Sequence, residues 1–529
     1  MNERRYPLGI QTFSRIRREG YVYIDKTDLV WQLTHYATFI FLSRPRRFGK
    51  SLLTSTLESY FLGEREWFEG LKIMDLEQEW TQYPVIRLSL STAKGQESPD
   101  ALRDKLRLIM KPYTEDYGSD PDEKTPGGML AGLIRRAWKK TGRQVAVLID
   151  EYDAPLLEVL HDDAVLPQYR RVMQEFYETL KDSEAIIKFC FITGITKFSQ
   201  LSTFSTINNL YNASMDDRFA AICGITETEL ARDMVPDIAQ MAEANGYTPE
   251  EMHQRLKMRY DGYHFSEHSE DIYNPFSLFY AFDSKDLHNY WFSSGTPTFL
   301  LRQMQHFRTD ITALEHIEAP ASAFDQPTEN MQNALPLLYQ SGYLTIKDYD
   351  RDTEAYTLAI PNQEVRIGFT EGLLPAYTGL DTGNVQLGFA AKFWRALRQN
   401  NIDLALREMQ SFMASLPYVE GFKRKLEEAA TAEGFYEYTL YLILSMLNVY
   451  VRTQVKCRGG RIDVVVLMPD TTYVMELKTR GTAREALAQI DSHDYDLPYR
   501  TEGRRVVKVG LLFDIESRSL KEWCVDGKE

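Results

Sequence analysis

The feature that most constrains the fold is a short apolar run that leads through a basic loop into an amphipathic segment. The run Thr38–Ser43 reads as a strand, and apolar residues recur at helical spacing over residues 52–61. The loop between them ends in Gly49-Lys50-Ser51. In such a strand–loop–helix, backbone N–H groups and the helix N-terminus hold phosphates, a lysine reaches the terminal phosphates, and a hydroxyl ligates magnesium. The sequence therefore predicts a phosphate-binding loop between this strand and this helix.

The loop departs from the usual G-x-x-x-x-G-K-[ST] pattern, because Arg44 stands where the first glycine is expected. A bare Gly-Lys-Ser is a weak signal, and the strand before it and the helix after it strengthen it. Arg46 and Arg47 could touch phosphate or could lie exposed in solvent. The residues predicted to line the nucleotide are Arg47, Phe48, Gly49, Lys50, Ser51 and Leu52. The hydroxyl of Ser51 is also a predicted magnesium ligand.

Two further apolar runs end in polar residues that suit nucleotide hydrolysis. The run Val145–Ile149 is followed directly by Asp150 and Glu151. We predict that Asp150 holds the magnesium shell and that Glu151 polarises the attacking water, although the pair could also cap a turn. The run Ile187–Thr193 ends where such enzymes place a γ-phosphate sensor, so Thr193 and Thr196 are candidates for that role. Continuous apolar runs of this kind suit central strands of a parallel sheet that is covered on both faces.

Charge and composition limit the class of protein. The net charge of −15 over 529 residues argues against a basic coat for nucleic acid, although residues 1–50 carry +6 and residues 431–529 carry only −1. No apolar run approaches the ~18 residues of a membrane span, and the first residues do not resemble a signal peptide. The four cysteines form no C-x-x-C pair. We therefore expect a cytoplasmic protein without disulfides or a membrane span.

The middle of the chain is predicted to be mostly helical. Within it, a helix-like segment at residues 335–344 gives way to a strand at 345–349, a charged turn at 350–352 and a second strand at 355–360. A helix followed by a hairpin is typical of a winged-helix unit. The same order fits a plain α+β connector, and the sequence leaves both open.

A chemical pattern near the C-terminal end combines two carboxylates with a lysine. Asp463 lies in the strand-like run 462–467, and Glu476 and Lys478 lie two apart in the run 473–478, on one strand face. A hairpin would bring Asp463 near Glu476. Carboxylates can hold magnesium or manganese, and a lysine can orient water and offset phosphate charge. The pattern predicts metal-dependent phosphodiester cleavage, with Asp463 and Glu476 as ligands, and its alternative is an edge strand with alternating charges.

The motifs of the first half resemble those of the bacterial AAA-ATPase-like family. The matching runs are YIDKT (Tyr23–Thr27), FLSRPRRFGKSLL (Phe41–Leu53), LIDEYDAPL (Leu148–Leu156), FITGITKFS (Phe191–Ser199), YDGY (Tyr260–Tyr263), YNPFS (Tyr273–Ser277) and YWFSSGTP (Tyr290–Pro297). The resemblance spans roughly residues 6 to 300. It implies an AAA/STAND-like ATPase fold, ATP on Lys50 and Ser51, and a Walker B pair at Asp150 and Glu151. An Arg44-type substitution is typical of the family, so it does not by itself imply a dead site.

The C-terminal pattern resembles the PD-(D/E)XK nuclease superfamily, with Asp463, Glu476 and Lys478 at its D…(D/E)-x-K positions. The superfamily's first-helix glutamate would be Glu433, a further predicted catalytic residue. The run Ala486–Ile490 resembles the helix that follows the catalytic strand. Members of the superfamily commonly have a histidine near the position of Glu437, so the glutamate here departs from the superfamily pattern.

We therefore expect a P-loop AAA/STAND-like ATPase domain at residues 1–235, a helical and winged-helix-like region at 236–430, and a restriction-endonuclease-like α/β domain at 431–529. The expected cofactors are ATP and Mg²⁺, with Mn²⁺ possible at the nuclease site. The expected function is an ATPase coupled to a nuclease that acts on nucleic acid, with DNA favoured and an ATP-dependent homo-oligomer possible. The alternative is a nucleotide-gated signalling or binding module whose nuclease-like domain is not catalytic.

Overall fold

The computed structural model describes residues 4–160, 162, 164–197, 210–294, 298–307, 309, 312–327, 331–378, 385–414, 450–457, 460–468, 470–500, 503–514 and 519–527. The chain forms two units. The first comprises Met1–Ser293, Pro297–Thr309 and Ile317–Asn362, and the second comprises Ser294–Thr296, Asp310–His316 and Gln363–Glu529. The three-part division at residues 235/236 and 430/431 stays a prediction.

A parallel sheet forms the centre of the first unit. Its strands are β1 (Phe39–Ser43), β2 (Val85–Ser89), β3 (Val145–Asp150), β4 (Ile187–Gly194) and β5 (Leu210–Asn212). All neighbours are parallel, in the order β2-β3-β4-β1-β5. Strand β3 is buried along its whole length, as a strand with helices on both faces must be. The predicted parallel sheet is confirmed.

Helices cover both faces of this sheet. They are α1 (Phe13–Glu19), α2 (Thr27–Tyr36), α3 (Lys50–Phe61), α4 (Pro99–Tyr117), α5 (Pro126–Thr141), α6 (Ala154–Leu157) and α7 (Leu166–Asp182). Alternate residues of β3, such as Val147 and Ile149, join the core under α4, α5 and α7. On the other face, the ring of Phe61 at the end of α3 stacks on Phe189 of β4, with centroids 5.1 Å apart.

A helical layer follows the sheet within the same unit. It contains β6 (Ile225–Thr226), α8 (Glu227–Asp233), α9 (Val235–Asn245), α10 (Pro249–Tyr260), β7 (Ile272–Tyr273), α11 (Pro275–Ser284) and α12 (Thr298–His306). Helices α8 and α10 begin with capping boxes, in which Thr226 pairs with Glu229 and Thr248 with Glu251. Such reciprocal caps satisfy two orphan N–H groups and fix where each helix starts.

The first unit ends in a small module, residues 317–360, that we call the helix–hairpin module. It consists of β8 (Ile317–Ala319), α13 (Ala321–Phe324), α14 (Leu335–Gln340), β9 (Thr345–Asp350) and β10 (Ala355–Ala359). The strands form an antiparallel sheet in the order β8-β10-β9. The predicted helix and hairpin are therefore present, and the winged-helix assignment stays a prediction.

The second unit holds helices and a mixed sheet. Its elements are α15 (Gln363–Thr378), α16 (Val385–Arg398), α17 (Ile402–Ala414), β11 (Tyr450–Cys457), β12 (Gly460–Leu467), β13 (Thr471–Lys478), α18 (Ala483–Ser492), β14 (Arg505–Asp514) and β15 (Ser519–Val525). The sheet order is β11-β12-β13-β14-β15, and only β13 and β14 pair in parallel. Helix α18 makes the crossover between them. A Cβ at Gly510 would lie 2.1 Å from the Ala483 carbonyl oxygen, so glycine permits this close packing.

The predicted strands at 462–467 and 473–478 are confirmed, and each begins two residues earlier than predicted. The run Ala486–Ile490 lies within α18. The catalytic candidate Glu433 lies outside the described residues. Among the helices that the structure describes, none is long and apolar enough to cross a membrane.

Candidate nucleotide and nuclease sites

The predicted phosphate-binding loop joins β1 to α3. Gly49 adopts a left-handed backbone with φ of 90°, which suits glycine, and α3 begins at the next residue, Lys50. The helix has no side-chain cap. The N–H groups of its first turn, which include those of Ser51 and Leu52, therefore point at the loop with the positive end of the helix dipole. This geometry suits a bound phosphate.

Lys50 is buried within the loop. Its ammonium donates hydrogen bonds to the carbonyl oxygens of Arg44 and Pro45, both at 2.9 Å. Burial lowers the pKa of Lys50, and the nearby carboxylates of Asp150 and Asp153 oppose that shift. The cation is thus held at the centre of the loop by neutral acceptors that a phosphate could replace.

Arg44 gives a structural reason for the missing glycine. Its side chain is 1% exposed and donates to the carbonyl oxygens of Ser214 at 2.8 Å and Phe219 at 3.1 Å. The guanidinium also lies 4.3 Å from the ring centroid of Phe265. Burial lowers the pKa of Arg44 to about 10. The residue in the first glycine position therefore ties the loop to the segment between β5 and β6, and to Phe265 in the helical layer.

The later family motifs pack against the same loop. The ring of Phe48 meets Tyr263 edge-on, with centroids 4.7 Å apart. Arg47 lies 3.9 Å from the ring centroid of Phe276, so its guanidinium stacks on an aromatic face. The indole N–H of Trp291 donates to the Arg46 carbonyl oxygen at 3.2 Å. No role for these motifs was predicted from sequence. In the structure their side chains pack against the predicted phosphate-binding loop.

The predicted Walker B carboxylates, Asp150 and Glu151, lie at the end of β3. Asp150 is buried, and its Oδ1 has no hydrogen-bond partner among the described residues. Glu151 is half-buried in a left-handed backbone with φ of 52°, which is uncommon for a residue with a side chain. Burial and the neighbouring Asp150 raise the pKa of Glu151. An unpartnered buried carboxylate oxygen fits a divalent cation, for which Asp150 and Ser51 are the predicted ligands.

The sensor candidate Thr193 is bound to the main chain. Its hydroxyl donates to the Leu42 carbonyl oxygen at 2.7 Å, across the pairing of β4 with β1. Asp153 occupies the space beyond β4 and accepts hydrogen bonds from the N–H groups of Ile195 at 3.0 Å and Thr196 at 2.7 Å. The γ-phosphate role of Thr193 stays a prediction. Asp153 is a residue that sequence reasoning missed, although it stands two positions after Glu151 in the quoted family run.

An apolar cavity of about 80 Å³ adjoins the phosphate-binding loop. Its lining includes Tyr23, Ile24, Phe48, Leu52, Ile225 and Phe279. The cavity lies beside Gly49 and the first turn of α3.

The nuclease-like residues come together on the β12–β13 hairpin. Strand β12 pairs with β13 through Val464 and Met475, which places Asp463 and Glu476 one step further along. The carboxylate of Asp463 accepts a hydrogen bond from the Leu477 N–H at 2.8 Å. The predicted proximity of Asp463 to Glu476 is therefore present in the structure.

Glu476 is 4% exposed, and its Oε2 has no hydrogen-bond partner among the described residues. Burial, and secondarily the charge of Asp463, raise the pKa of Glu476 to about 8. A carboxylate in that state holds a proton at neutral pH unless a cation displaces it. The unpartnered oxygen and the adjacent carboxylate fit a hard divalent ion.

Gln489, on α18, forms hydrogen bonds with both Lys478 and Glu476. Its side-chain carbonyl accepts a hydrogen bond from Lys478 Nζ at 2.9 Å, and its amide N–H donates to Glu476 Oε1. Sequence reasoning noted the helix run that contains Gln489 and gave the residue no role. Gln489 could have been identified by its position in the helix that directly follows the E-x-K strand.

In the part of the chain that the structure describes, no three His, Cys, Asp or Glu side chains converge as a metal-binding group. Asp463 and Glu476 supply two carboxylates. A magnesium or manganese ion there would need a main-chain carbonyl, water or a residue outside the described ranges, such as the candidate Glu433, to complete its shell.

The fold and the two sites define a P-loop ATPase-like protein joined to a nuclease-like domain. A family model described as predicted AAA-ATPase matches residues 7–204, and one described as PD-(D/E)XK nuclease superfamily matches residues 431–523. A relative described as an uncharacterized protein in the vnfD 5′ region of Azotobacter chroococcum mcd 1 is 32% identical over 535 residues, and the match covers 99% of both chains. No solved structure matches the chain significantly.

The chain therefore belongs to the predicted AAA-ATPase family and carries a C-terminal domain of the PD-(D/E)XK nuclease superfamily. The resemblance inferred from the motifs is confirmed for both ends of the chain.

Proposed function

We propose that the first unit binds and hydrolyses ATP and that this activity controls a metal-dependent nuclease in the second unit. For the nucleotide, the supporting observation is the buried Lys50, whose ammonium donates to two main-chain carbonyl oxygens, near Asp150, whose Oδ1 has no hydrogen-bond partner among the described residues. The phosphates would displace the carbonyls of Arg44 and Pro45 from Lys50. The base would enter the apolar cavity that Phe48 and Leu52 help to line.

In hydrolysis, Lys50 would offset the charge of the terminal phosphates, and Glu151 would accept a proton from the attacking water. The raised pKa of Glu151 brings its basicity nearer to neutral pH, where a general base works best. Asp150 and Ser51 would hold magnesium, which supplies charge neutralisation between the phosphates when bound.

For the nuclease, the supporting observation is the buried Glu476 Oε2, which lies beside Asp463 and has no hydrogen-bond partner in the part of the chain that the structure describes. The other oxygen of Glu476 accepts from Gln489, which also binds Lys478. Asp463 and Glu476 would hold a divalent ion, which supplies a Lewis acid for the phosphodiester when bound. Lys478, oriented by Gln489, would hold the attacking water and offset phosphate charge. Gln489 thus sets the direction of the lysine and keeps the carboxylate in place.

We favour DNA as the substrate on the strength of the nuclease superfamily resemblance. An ATP-dependent homo-oligomer is a further element of the proposal. The test is a gel assay of labelled single- and double-stranded DNA and RNA, in magnesium or manganese, with and without ATP. Cleavage that needs metal and responds to ATP supports the proposal. If the chain binds ATP and nucleic acid without cleaving the nucleic acid, the result supports the alternative hypothesis of a nucleotide-gated binding module.

A further inference from the structure

The turn that contains the predicted Walker B pair, residues 150–153, is hydrogen-bonded to the end of β4 and the loop after it. The Tyr152 N–H donates to the Thr193 carbonyl oxygen at 3.1 Å, and the Tyr152 hydroxyl donates to the Thr196 carbonyl oxygen at 2.8 Å. Asp153 accepts two N–H groups and the Thr196 hydroxyl from the same loop. A Cβ at Gly194 would lie 2.4 Å from Asp153 Oδ1, so only glycine permits this approach. A movement of the turn must therefore move the loop.

The last described residue of that loop, Lys197, holds the helix–hairpin module. Its backbone N–H donates to Gln340 Oε1 at 2.8 Å, and its ammonium forms an ion pair with Asp325. Gln340 ends α14, and Asp325 follows α13 directly. Lys197 is 8% exposed. Burial lowers the pKa of Lys197 and raises the pKa of Asp325, so removal from water penalises both charges.

Gln340 extends this contact to the segment after α13. Its amide N–H groups donate to the carbonyl oxygens of Phe324 at 3.3 Å and Gln326 at 2.6 Å. One lysine therefore reaches both helices of the module. Buried ion pairs add little net stability compared with apolar packing, and their best-attested use is to select one arrangement of the elements they join.

The module also touches the phosphate-binding loop itself. A Cβ at Gly342, just after α14, would lie 2.6 Å from Pro45 Cβ. The ring of Tyr343 lies 5.2 Å from that of Trp291, whose indole N–H is bound to the Arg46 carbonyl oxygen. Two of the segments expected to respond to ATP therefore contact one module.

The surface of the module does not suit DNA. In a helix-turn-helix reader, the helix before the wing enters the major groove. Here α14 contains no Lys or Arg, and most of its side chains are buried. The exposed hairpin tip, residues 350–354, carries three carboxylates and one arginine. A phosphate backbone would be repelled by this tip.

We propose that the helix–hairpin module senses the nucleotide state through Lys197, which couples it to the Asp150–Asp153 turn, and that it does not read DNA. This inference rests on the proposed ATP site. A nucleotide–magnesium complex at Asp150 and Glu151 changes the turn, Asp153 carries the change to the loop after β4, and Lys197 shifts the balance between two positions of the module. Coupling is reciprocal, so loss of the link also changes nucleotide affinity.

The test is hydrogen exchange of the full-length chain, measured by mass spectrometry, without nucleotide, with ADP and with a slowly hydrolysed ATP analogue plus magnesium. In the parent chain we expect amides of residues 335–359 to change their exchange rates at least threefold between the ADP and ATP-analogue states. Lys197→Met and Asp325→Asn should each lose most of that response. The double variant should lose no more than either single one, because both residues act in one link.

Lys188→Met is the matched control, since Lys188 is an exposed lysine on the same strand, β4, and should keep the parent response. If Lys197→Met does not fold, Gln340→Ala tests the same link through the backbone N–H of Lys197.

Nucleotide binding is measured by calorimetry on the same samples. A parent that binds nucleotide but shows no change at residues 335–359, or a Lys197→Met variant that keeps the full change, overturns the inference alone. A parent that binds no nucleotide overturns the proposed ATP site and the inference with it.

Discussion

The two candidate sites handle their buried charges in opposite ways. In the phosphate-binding loop the cations, Arg44 and Lys50, are held by main-chain carbonyl oxygens. In the nuclease-like site the open group is a carboxyl, because Glu476 Oε2 has no partner among the described residues and its pKa is raised to about 8. The first site thus has its cations in place without a bound anion. In the second, a cation or a proton is needed to offset the repulsion between two adjacent carboxylates.

The largest effect that follows from this contrast is at Asp463. Asp463→Ala removes one of the two proposed carboxylate ligands, so metal-dependent cleavage should fall by roughly 10³-fold or more. Lys478→Ala should lose cleavage as well, while its metal affinity stays within a few-fold of the parent. Cleavage rates and manganese titrations of each variant check this. Asp470→Ala, which removes an exposed carboxylate from the adjacent turn, should match the parent.

At the nucleotide end, Glu151→Gln should keep ATP affinity and lower the hydrolysis rate by roughly 10²- to 10⁴-fold, because a carboxamide cannot accept the proton of water. Phosphate release at saturating ATP measures the effect. The exposed Glu158 offers a matched control as Glu158→Gln. Unchanged phosphate release in Glu151→Gln would remove this residue from the catalytic role.

Lys50→Ala should weaken ATP binding by roughly 10- to 100-fold, since a charge-assisted hydrogen bond to phosphate is lost. Calorimetric titration gives the affinity, and the exposed Lys188→Ala serves as the control. Equal ATP affinity in Lys50→Ala and the parent would contradict the assignment of the loop.

The contrast also predicts opposite pH behaviour. Below the Glu476 pKa of about 8, a metal ion must displace a proton to bind. The apparent dissociation constant for manganese should therefore rise roughly tenfold for each unit that the pH falls below that value. Titrations between pH 6 and pH 9 measure the slope, and Glu476→Gln should abolish it. A flat profile in the parent would show that Glu476 carries no proton there.

The smallest effect concerns stability without metal. The folded state keeps the Glu476 proton to about pH 8, whereas the ordinary pKa of glutamate is 4.5. The folded chain therefore binds more protons between these values, and its free energy of unfolding should fall as pH rises through that window. Glu476→Gln should flatten the fall. Urea unfolding of both chains at pH 5 and pH 8.5, followed by circular dichroism, checks the sign.

The parts of the fold that could be predicted from sequence are those fixed by local patterns. Buried strands such as Val145–Asp150 appear as continuous apolar runs, and Glu476 and Lys478 share a face because they lie two apart. The role of Arg44 could not be predicted, because its acceptors Ser214 and Phe219 lie 170 and 175 residues away. Such partners depend on the whole fold.

Two site residues were missed for a related reason. Asp153 acts on N–H groups of a loop some 42 residues further on, and Gln489 acts on a strand 11 residues back through a crossover. Neither contact has a periodic signal. Both residues lie in runs that matched the family motifs. The motifs therefore located the two sites, but they did not predict what these two residues contact.

Control of a metal-dependent nuclease by ATP is tested by one cleavage assay on four chains: the parent, Lys50→Ala, Asp463→Ala and the double variant. The substrate is labelled duplex or single-stranded DNA in manganese, with and without ATP, and ATP binding is measured on the same samples. We predict that the parent cuts only with metal, that Asp463→Ala binds ATP but does not cut, and that Lys50→Ala loses the response of cleavage to ATP. Equal cutting by the parent and Asp463→Ala, or no cutting by a parent that binds ATP under any metal condition, would contradict the account.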